Sequence, residues 1–354
     1  MKKIITCAGY HGTGSSLVTD LLKEFTNIKS FGEYEFRFLQ DPNGVGDLEE
    51  RILNNNSRLN SDRAIYDFRR FIKKISKRNL KFWKQNMYKN VFNNNFEKIT
   101  VEYLDSLIEL KWKGSWMDSI IRDRDGLEFY KYKLKRLISI FYKIIEKIFR
   151  TSTEKSVIRE EFVYSFPTEE EFLLKTRKYL DNLWKATNKK EKILSFDQLV
   201  PACNINKYIR YFDDIKIIVV DRDPRDLYVL NKYFWKDGVV PVDNVDIFIK
   251  HFRLIRKHQQ FENEDENKVL KIRFEDAIYN YESTLSEIIN FLGIEEEHIN
   301  KFKYFNPKKS INNTQVYKNN FVNSKDIEKI EKELSEYCYN FPYLIEKQNI
   351  SKIY

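Results

Sequence analysis

The chain has 354 residues, enough for one large core or two ordinary domains. Its 62 Lys+Arg against 53 Asp+Glu leave a net charge of +9, while three scattered cysteines and four histidines argue against a disulfide framework or a histidine-built metal centre. No apolar run of membrane-spanning length and no leader-like segment stands out, so the sequence reads as a soluble, cytoplasmic protein.

The first element is Ile4-Ile5-Thr6-Cys7-Ala8, a short buried strand. Gly9-Tyr10-His11-Gly12-Thr13-Gly14-Ser15-Ser16 follows, and then Leu17, Val18, Leu21, Leu22 and Phe25 at helical spacing. Strand, glycine-rich turn and helix form the layout that cradles a phosphate- or sulfate-like anion, because glycines let the backbone approach and its N–H groups face the ligand. The spacing is that of a Walker-type loop, but Ser15 stands where a nucleotide hydrolase carries lysine. Gly12, Thr13, Gly14, Ser15 and Ser16 are therefore candidates for gripping a nucleotide anion without ATP hydrolysis. Ser30 to Phe36 carries the end of a second strand and a loop with Glu33 and Glu35, and Asp41-Pro42-Asn43-Gly44 is a turn signal.

From about residue 50 to 190 glycine nearly disappears and aromatic residues interleave with lysines at helical periodicity. Residues 51–160 hold 26 Lys+Arg against 13 Asp+Glu, so the positive excess belongs to this segment. Such a field attracts polyanions, acidic lipid surfaces or anionic glycans, unless it is simply a solvated face. Between Tyr130 and Arg150, Leu134, Leu137, Ile138, Phe141, Ile144, Ile145 and Ile148 form an apolar stripe with Lys135, Lys143, Lys147 and Arg150 largely between them. This predicts an amphipathic helix facing the core with a basic outer face; peripheral membrane contact is the alternative. We read the segment as a basic helical insertion that shapes an acceptor pocket.

Strands return at Lys192–Asp197, Ile215–Val220 and Val269–Phe274, the last followed by a helix with Leu285, Ile288, Ile289 and Leu292 inward and Gly293 as its stop. Strands alternating with helices predict an α/β fold, a P-loop-like, mostly parallel sheet with helices on both faces, with 50–190 as an insertion in one domain spanning 1–354. Asp221-Arg222-Asp223-Pro224-Arg225-Asp226-Leu227 follows the strongest strand, at the carboxyl end where ligands of open α/β sheets sit. Asp223 can cap a helix opened by Pro224, leaving Arg222 free to fork onto a phosphate. An Arg–Asp surface network is the plainer alternative. Trp235-Lys236, before Gly238, is placed to line a pocket.

The glycine loop, the Arg222–Asp226 run, and Ile272-Arg273-Phe274-Glu275-Asp276 followed by Phe291-Leu292-Gly293-Ile294 come in an order that resembles the sulfotransferase family. The resemblance covers roughly residues 1–45 and 190–300. It implies that Gly12 to Ser16 bind the 5′-phosphosulfate of PAPS (3′-phosphoadenosine 5′-phosphosulfate) and that Arg222 binds its 3′-phosphate. Many family members carry a basic residue at the position of Gly12, where His11 or Lys236 would have to substitute. They also often carry a serine at the position of Leu230, leaving Asn231 or Tyr228 as substitutes. Lys308 and Lys309, in a polar run after Pro307, match the basic C-terminal loop that closes over the 3′-phosphate in such proteins, although a solvated loop explains them equally simply.

Sulfuryl transfer needs donors around the sulfonate oxygens and a base for an acceptor hydroxyl, and requires no metal. His11, Glu33 and Glu35 are the candidate bases, each with a plainer role as a loop histidine or an ion-pair partner of Arg37. The implied partner is a small-molecule or glycan acceptor, anionic if it meets the basic insertion, and not a nucleic acid. Two rivals stand: a P-loop nucleotide kinase-like phosphotransferase, and a non-catalytic binder of polyanions or membrane surfaces.

Overall fold

In β1 (Lys3–Gly9) alternate side chains enter two cores. Ile4 and Ala8 join one, Ile5 and Cys7 the other, and all four are at most 1% exposed. β6 (Ile215–Asp221) repeats the division, with Ile217 and Val219 on the first face and Ile218 and Val220 on the second. A strand buried on both sides is a central strand of a covered parallel sheet. The computed structural model describes residues 2–76, 87–114, 160–294 and 298–344, with isolated positions between 134 and 145.

The sheet has five strands in the order β2-β5-β1-β6-β7, where β2 is Ile28–Glu35, β5 Ile193–Asp197 and β7 Val269–Arg273. All pairings within it are parallel. The fold is therefore α/β with helices on both faces. The chain leaves β1 toward β2, and β5 later fills the gap between them while β6 adds on the other side. The carboxyl ends of β1, β5 and β6 thus converge on one crevice, where the strand order reverses.

Helix α1 (Ser16–Leu22) follows the glycine loop and buries Leu17, Val18, Leu21 and Leu22 beneath the sheet. The helix Tyr281–Leu292 packs on the same face and ends at Gly293, whose φ of +57° makes the stop. On the opposite face lie Arg58–Ser76, Phe96–Leu107 and Glu169–Ala186. The last begins with a reciprocal cap, in which the Thr168 hydroxyl accepts from the Glu171 amide and the Glu171 carboxylate from the Thr168 amide. Phe196 of β5 packs against Trp184 of this helix in a tilted arrangement with ring centroids 4.8 Å apart, tying the insertion to the sheet.

The insertion is not purely helical. Leu110–Gly114 (β3) and Glu160–Tyr164 (β4) pair antiparallel within it. The predicted helix between Tyr130 and Arg150 falls mostly outside the described residues. Leu134, Leu137, Ile138, Phe141 and Ile144 are helical, but 48–65% exposed, so their stripe does not face the core. Periodicity marked an apolar face but carried no information about what covers it. No helix of the described residues is long and apolar enough to cross a membrane.

Candidate functional site

The glycine loop closes on itself. Both the amide and the hydroxyl of Thr13 donate to the Tyr10 carbonyl, at 3.0 and 2.7 Å, and the Leu17 amide donates to the Gly14 carbonyl at 3.0 Å. Gly12 and Gly14 have φ of +75° and +95°, the region that disfavours a side chain. A Cβ on Gly12 would lie 2.5 Å from the Trp235 ring, and one on Gly14 2.5 Å from the Phe274 ring. The two rings thus press on the loop from the β6 and β7 sides and hold it as a concave turn of backbone amides.

β6 delivers Arg222 to the same place. Asp223 caps the helix Pro224–Val229 by accepting from the Arg225 amide at 2.8 Å. The second arginine of the run, Arg225, is spent on structure: it forks onto Asp223, pairs with Glu331 and lies over the Tyr317 ring. Arg222 is different. Its side chain lies flat against the Phe274 ring at 4.2 Å and donates to the Gly12 carbonyl at 3.4 Å and to the Asn313 carbonyl. Its Nε has no partner, and among the described residues no carboxylate pairs directly with the guanidinium. Burial pulls its pKa below the ordinary range, against the opposing pull of Asp226, Glu275 and Asp223. A buried cation with a vacant donor is a receptor for an anion.

Loop and arginine line one cleft of about 910 Å³. Among the residues expected to act there, Gly12, Gly14, Ser15, Ser16, Arg222, His11 and Glu35 line it, as does Trp235. Thr13 is buried beneath the loop. Glu33 and Lys236 are outside the lining. Asn231 is buried and donates to the Leu227 carbonyl of its own helical run. Lys308 lies beside a separate hollow of about 580 Å³ lined by residues 278–283, and Lys309 is exposed; the part of the C-terminal region that reaches Arg222 is Asn313. His11 is exposed and pairs with Asp237 at 3.1 Å.

The structure also brings in residues that the sequence did not single out. Asp197 ends β5 inside the cleft, with its Oδ1 accepting from the Cys7 thiol at 3.1 Å. Burial raises its pKa to about 6, and neighbouring Glu35, its register partner on β2, pushes the same way. Two carboxylates thus stand on adjacent strand ends beside the glycine loop, and that of Asp197 holds its proton above the usual carboxylate range. The only sequence signal for Asp197 is its place as the last residue of a predicted strand. Behind the loop, Arg256 forks onto Asp221 at 2.9 and 2.6 Å and covers the Tyr10 ring at 4.1 Å. The Tyr10 hydroxyl meets Nε2 of His258 at 2.7 Å.

No family model and no curated protein matches the chain by sequence. Several solved structures share its outline. Sulfotransferase STF1 from Mycobacterium tuberculosis is 10% identical with a TM-score of 0.36, over 95% of this chain and 77% of that one. Sulfotransferase STF9 from Mycobacterium avium is 12% identical with a TM-score of 0.35, over 95% and 76%. A retinol dehydratase in complex with retinol and PAP is 12% identical with a TM-score of 0.36, over 97% and 83%. At TM-scores this low the likenesses carry no weight for the site or its chemistry.

Proposed function

We propose that this chain is a sulfotransferase that moves a sulfonate group from PAPS to a hydroxyl or amine of a small-molecule or carbohydrate acceptor. The observation that carries the reading is Arg222, a buried guanidinium with a vacant Nε, set against the carbonyl of the glycine loop in one cleft. A loop of backbone amides without lysine suits a sulfonate-bearing phosphate more than the β/γ-phosphates of ATP. Arg222, in its Arg-x-Pro-x-Asp run, supplies the second anion site that a 3′-phosphate requires.

In this reading the residues from Gly12 to Ser16 hold the phosphosulfate. The acceptor oxygen attacks sulfur in line, the bond from sulfur to the bridging phosphate oxygen breaks, and adenosine 3′,5′-bisphosphate leaves. Charge moves onto that phosphate, where the loop amides meet it. The acceptor proton passes to Asp197, with Glu35 on the adjacent strand end, because the burial-raised pKa of Asp197, about 6, suits a base working near neutral pH. His11, the remaining candidate base that lines the cleft, lies on the loop itself. The acceptor lies toward the outer cleft, walled by Arg37, Val239 and Phe261.

Calorimetric titration with adenosine 3′,5′-bisphosphate, beside ATP with Mg²⁺, tests the reading. Micromolar binding of the bisphosphate with ATP much weaker is the expected result. Replacing Arg222 with Ala should weaken bisphosphate binding by about 10–100-fold, the range for losing hydrogen bonds to a charged group. A preference for Mg-ATP would replace this reading with phosphoryl transfer, and no binding of either would end it.

A further inference from the structure

A second cluster of ligating side chains lines the cleft, joined to the glycine loop only through the Tyr10 hydroxyl and not touching Arg222. His258 lies in the turn Lys257–Gln260, and Glu262 and Glu264 follow in the connection to β7. One donor atom from each of the three lies within 4.8 Å of the others. His258 and Glu262 also line the cleft.

Ion pairing within the protein leaves part of this cluster unexplained. The Glu264 side chain is 7% exposed; Lys271 holds one of its oxygens at 2.6 Å, and its Oε1 has no partner among the described residues. A carboxylate with one buried oxygen lacking a donor, clustered with a second carboxylate and an imidazole, marks a place for a cation. The outer contacts are also those of a metal site. Nδ1 of His258 faces Glu262 Oε2 at 3.1 Å, while its Nε2 is fixed by the Tyr10 hydroxyl at 2.7 Å. Glu262 Oε1 accepts from the Asn204 amide at 2.7 Å, and the Tyr10 hydroxyl accepts from Gln259 at 2.9 Å. Each prospective ligand is therefore oriented by a further partner, as metal ligands are.

We propose that His258 Nδ1, Glu262 Oε2 and Glu264 Oε1 form a binding site for a divalent cation of the Zn²⁺ or Mn²⁺ class. One imidazole and two carboxylates form a mixed nitrogen and oxygen set that suits these ions. Binding draws the donors to about 2.0–2.2 Å from the ion and replaces the His258–Glu262 contact. With three protein ligands and the cleft on one side, the ion keeps a position open to an oxygen of a bound molecule. The site does not depend on the donor-binding reading, because its three ligands include none of Gly12–Ser16 and not Arg222.

The test is calorimetric titration of chelator-stripped, dialysed protein with ZnCl₂ and with MnCl₂. One ion should bind per chain with micromolar or tighter affinity for at least one metal, and Glu264→Gln and His258→Asn should each weaken it at least tenfold. Circular dichroism and urea unfolding of the same variants separate loss of a ligand from loss of the fold. Absence of binding to the wild type overturns the site, as does binding that both folded variants retain unchanged. If neither variant folds, Glu262→Gln serves as the third probe under the same criterion.

Discussion

Asp197 shows how a single residue couples the site to stability. Its carboxyl is 6% exposed, and its pKa stands at about 6 against 3.8 for a free side chain, chiefly through burial. The native state therefore holds this proton more tightly than the unfolded state, and stability falls as pH rises. The stabilisation is complete below about pH 4 and lost as pH passes through about 6, a change on the order of 3 kcal/mol. Asp197→Asn should abolish that part of the pH dependence, read as urea midpoints between pH 4 and 7. Glu275, which burial raises to about 7, retains its own contribution in the variant, so the slope should be reduced and not erased. An unchanged slope would remove Asp197 as the proposed proton acceptor. Asp197 was hidden in the sequence because a carboxylate at a strand end acquires meaning only once β5 is known to lie beside β1. The i, i+4 pair His258 and Glu262 was hidden similarly, since Glu264 joins it only through the turn into β7.

At the scale of elements, the helix Pro224–Val229 links the arginine of the site to the C-terminal region. Asp226, fully buried on its first turn, accepts from the Gln315 amide at 2.7 Å and the Tyr317 amide at 3.3 Å. Those two bonds hold the stretch whose Asn313 carbonyl meets Arg222. Burial, with Asp223 adding to it, raises the Asp226 pKa, and either protonation state retains acceptor oxygens for both amides. Asp226→Ala should cost about 2–4 kcal/mol, because two buried donors lose their partner, and should also weaken bisphosphate binding. Asp226→Asn, which keeps one acceptor, should fall between wild type and Ala in urea unfolding. Equal stability of all three would show that the C-terminal stretch is held by other contacts. Some elements were plain in the sequence for physical reasons: β1, β6 and β7 are apolar runs bounded by turns, and Asp223-Pro224 is a helix start in any context. β3 and β4 were not legible, since their pairing joins residues 110–114 to 160–164 with no local turn to announce it. Lys308, which the family resemblance implied as a phosphate cover, sits in the short helix Pro307–Ser310 and lines the hollow beside residues 278–283.

For the whole molecule, the question is whether sheet and insertion melt as one. A single cluster of buried side chains runs from Ile4 and Ala8 of β1 through Leu194 and Phe196 of β5 to Phe68, Leu104, Phe172 and Trp184 of the insertion helices. Phe196 touches both Phe92 and Trp184, so the β5 face is completed by insertion aromatics. Removing those helices would expose the inner face of the sheet, and neither part can keep its apolar surface buried alone. The described chain should therefore unfold in one cooperative transition, although residues 51–160 carry most of the net positive charge. Ligand linkage measures the size of that unit. Bisphosphate at 100 times its Kd stabilises the native state by about 2.7 kcal/mol. Spread over the unfolding entropy of the roughly 285 described residues, this raises Tm by about 4–5 °C. A sheet of about 200 residues melting by itself would shift by about 6 °C and leave a second, ligand-insensitive transition for the insertion. Scanning calorimetry with and without bisphosphate distinguishes the two. One transition with the smaller shift makes sheet and insertion one cooperative unit, in which insertion aromatics back β5 at Phe196, although no described residue of the insertion lines the cleft, contrary to the expectation that it shapes an acceptor pocket.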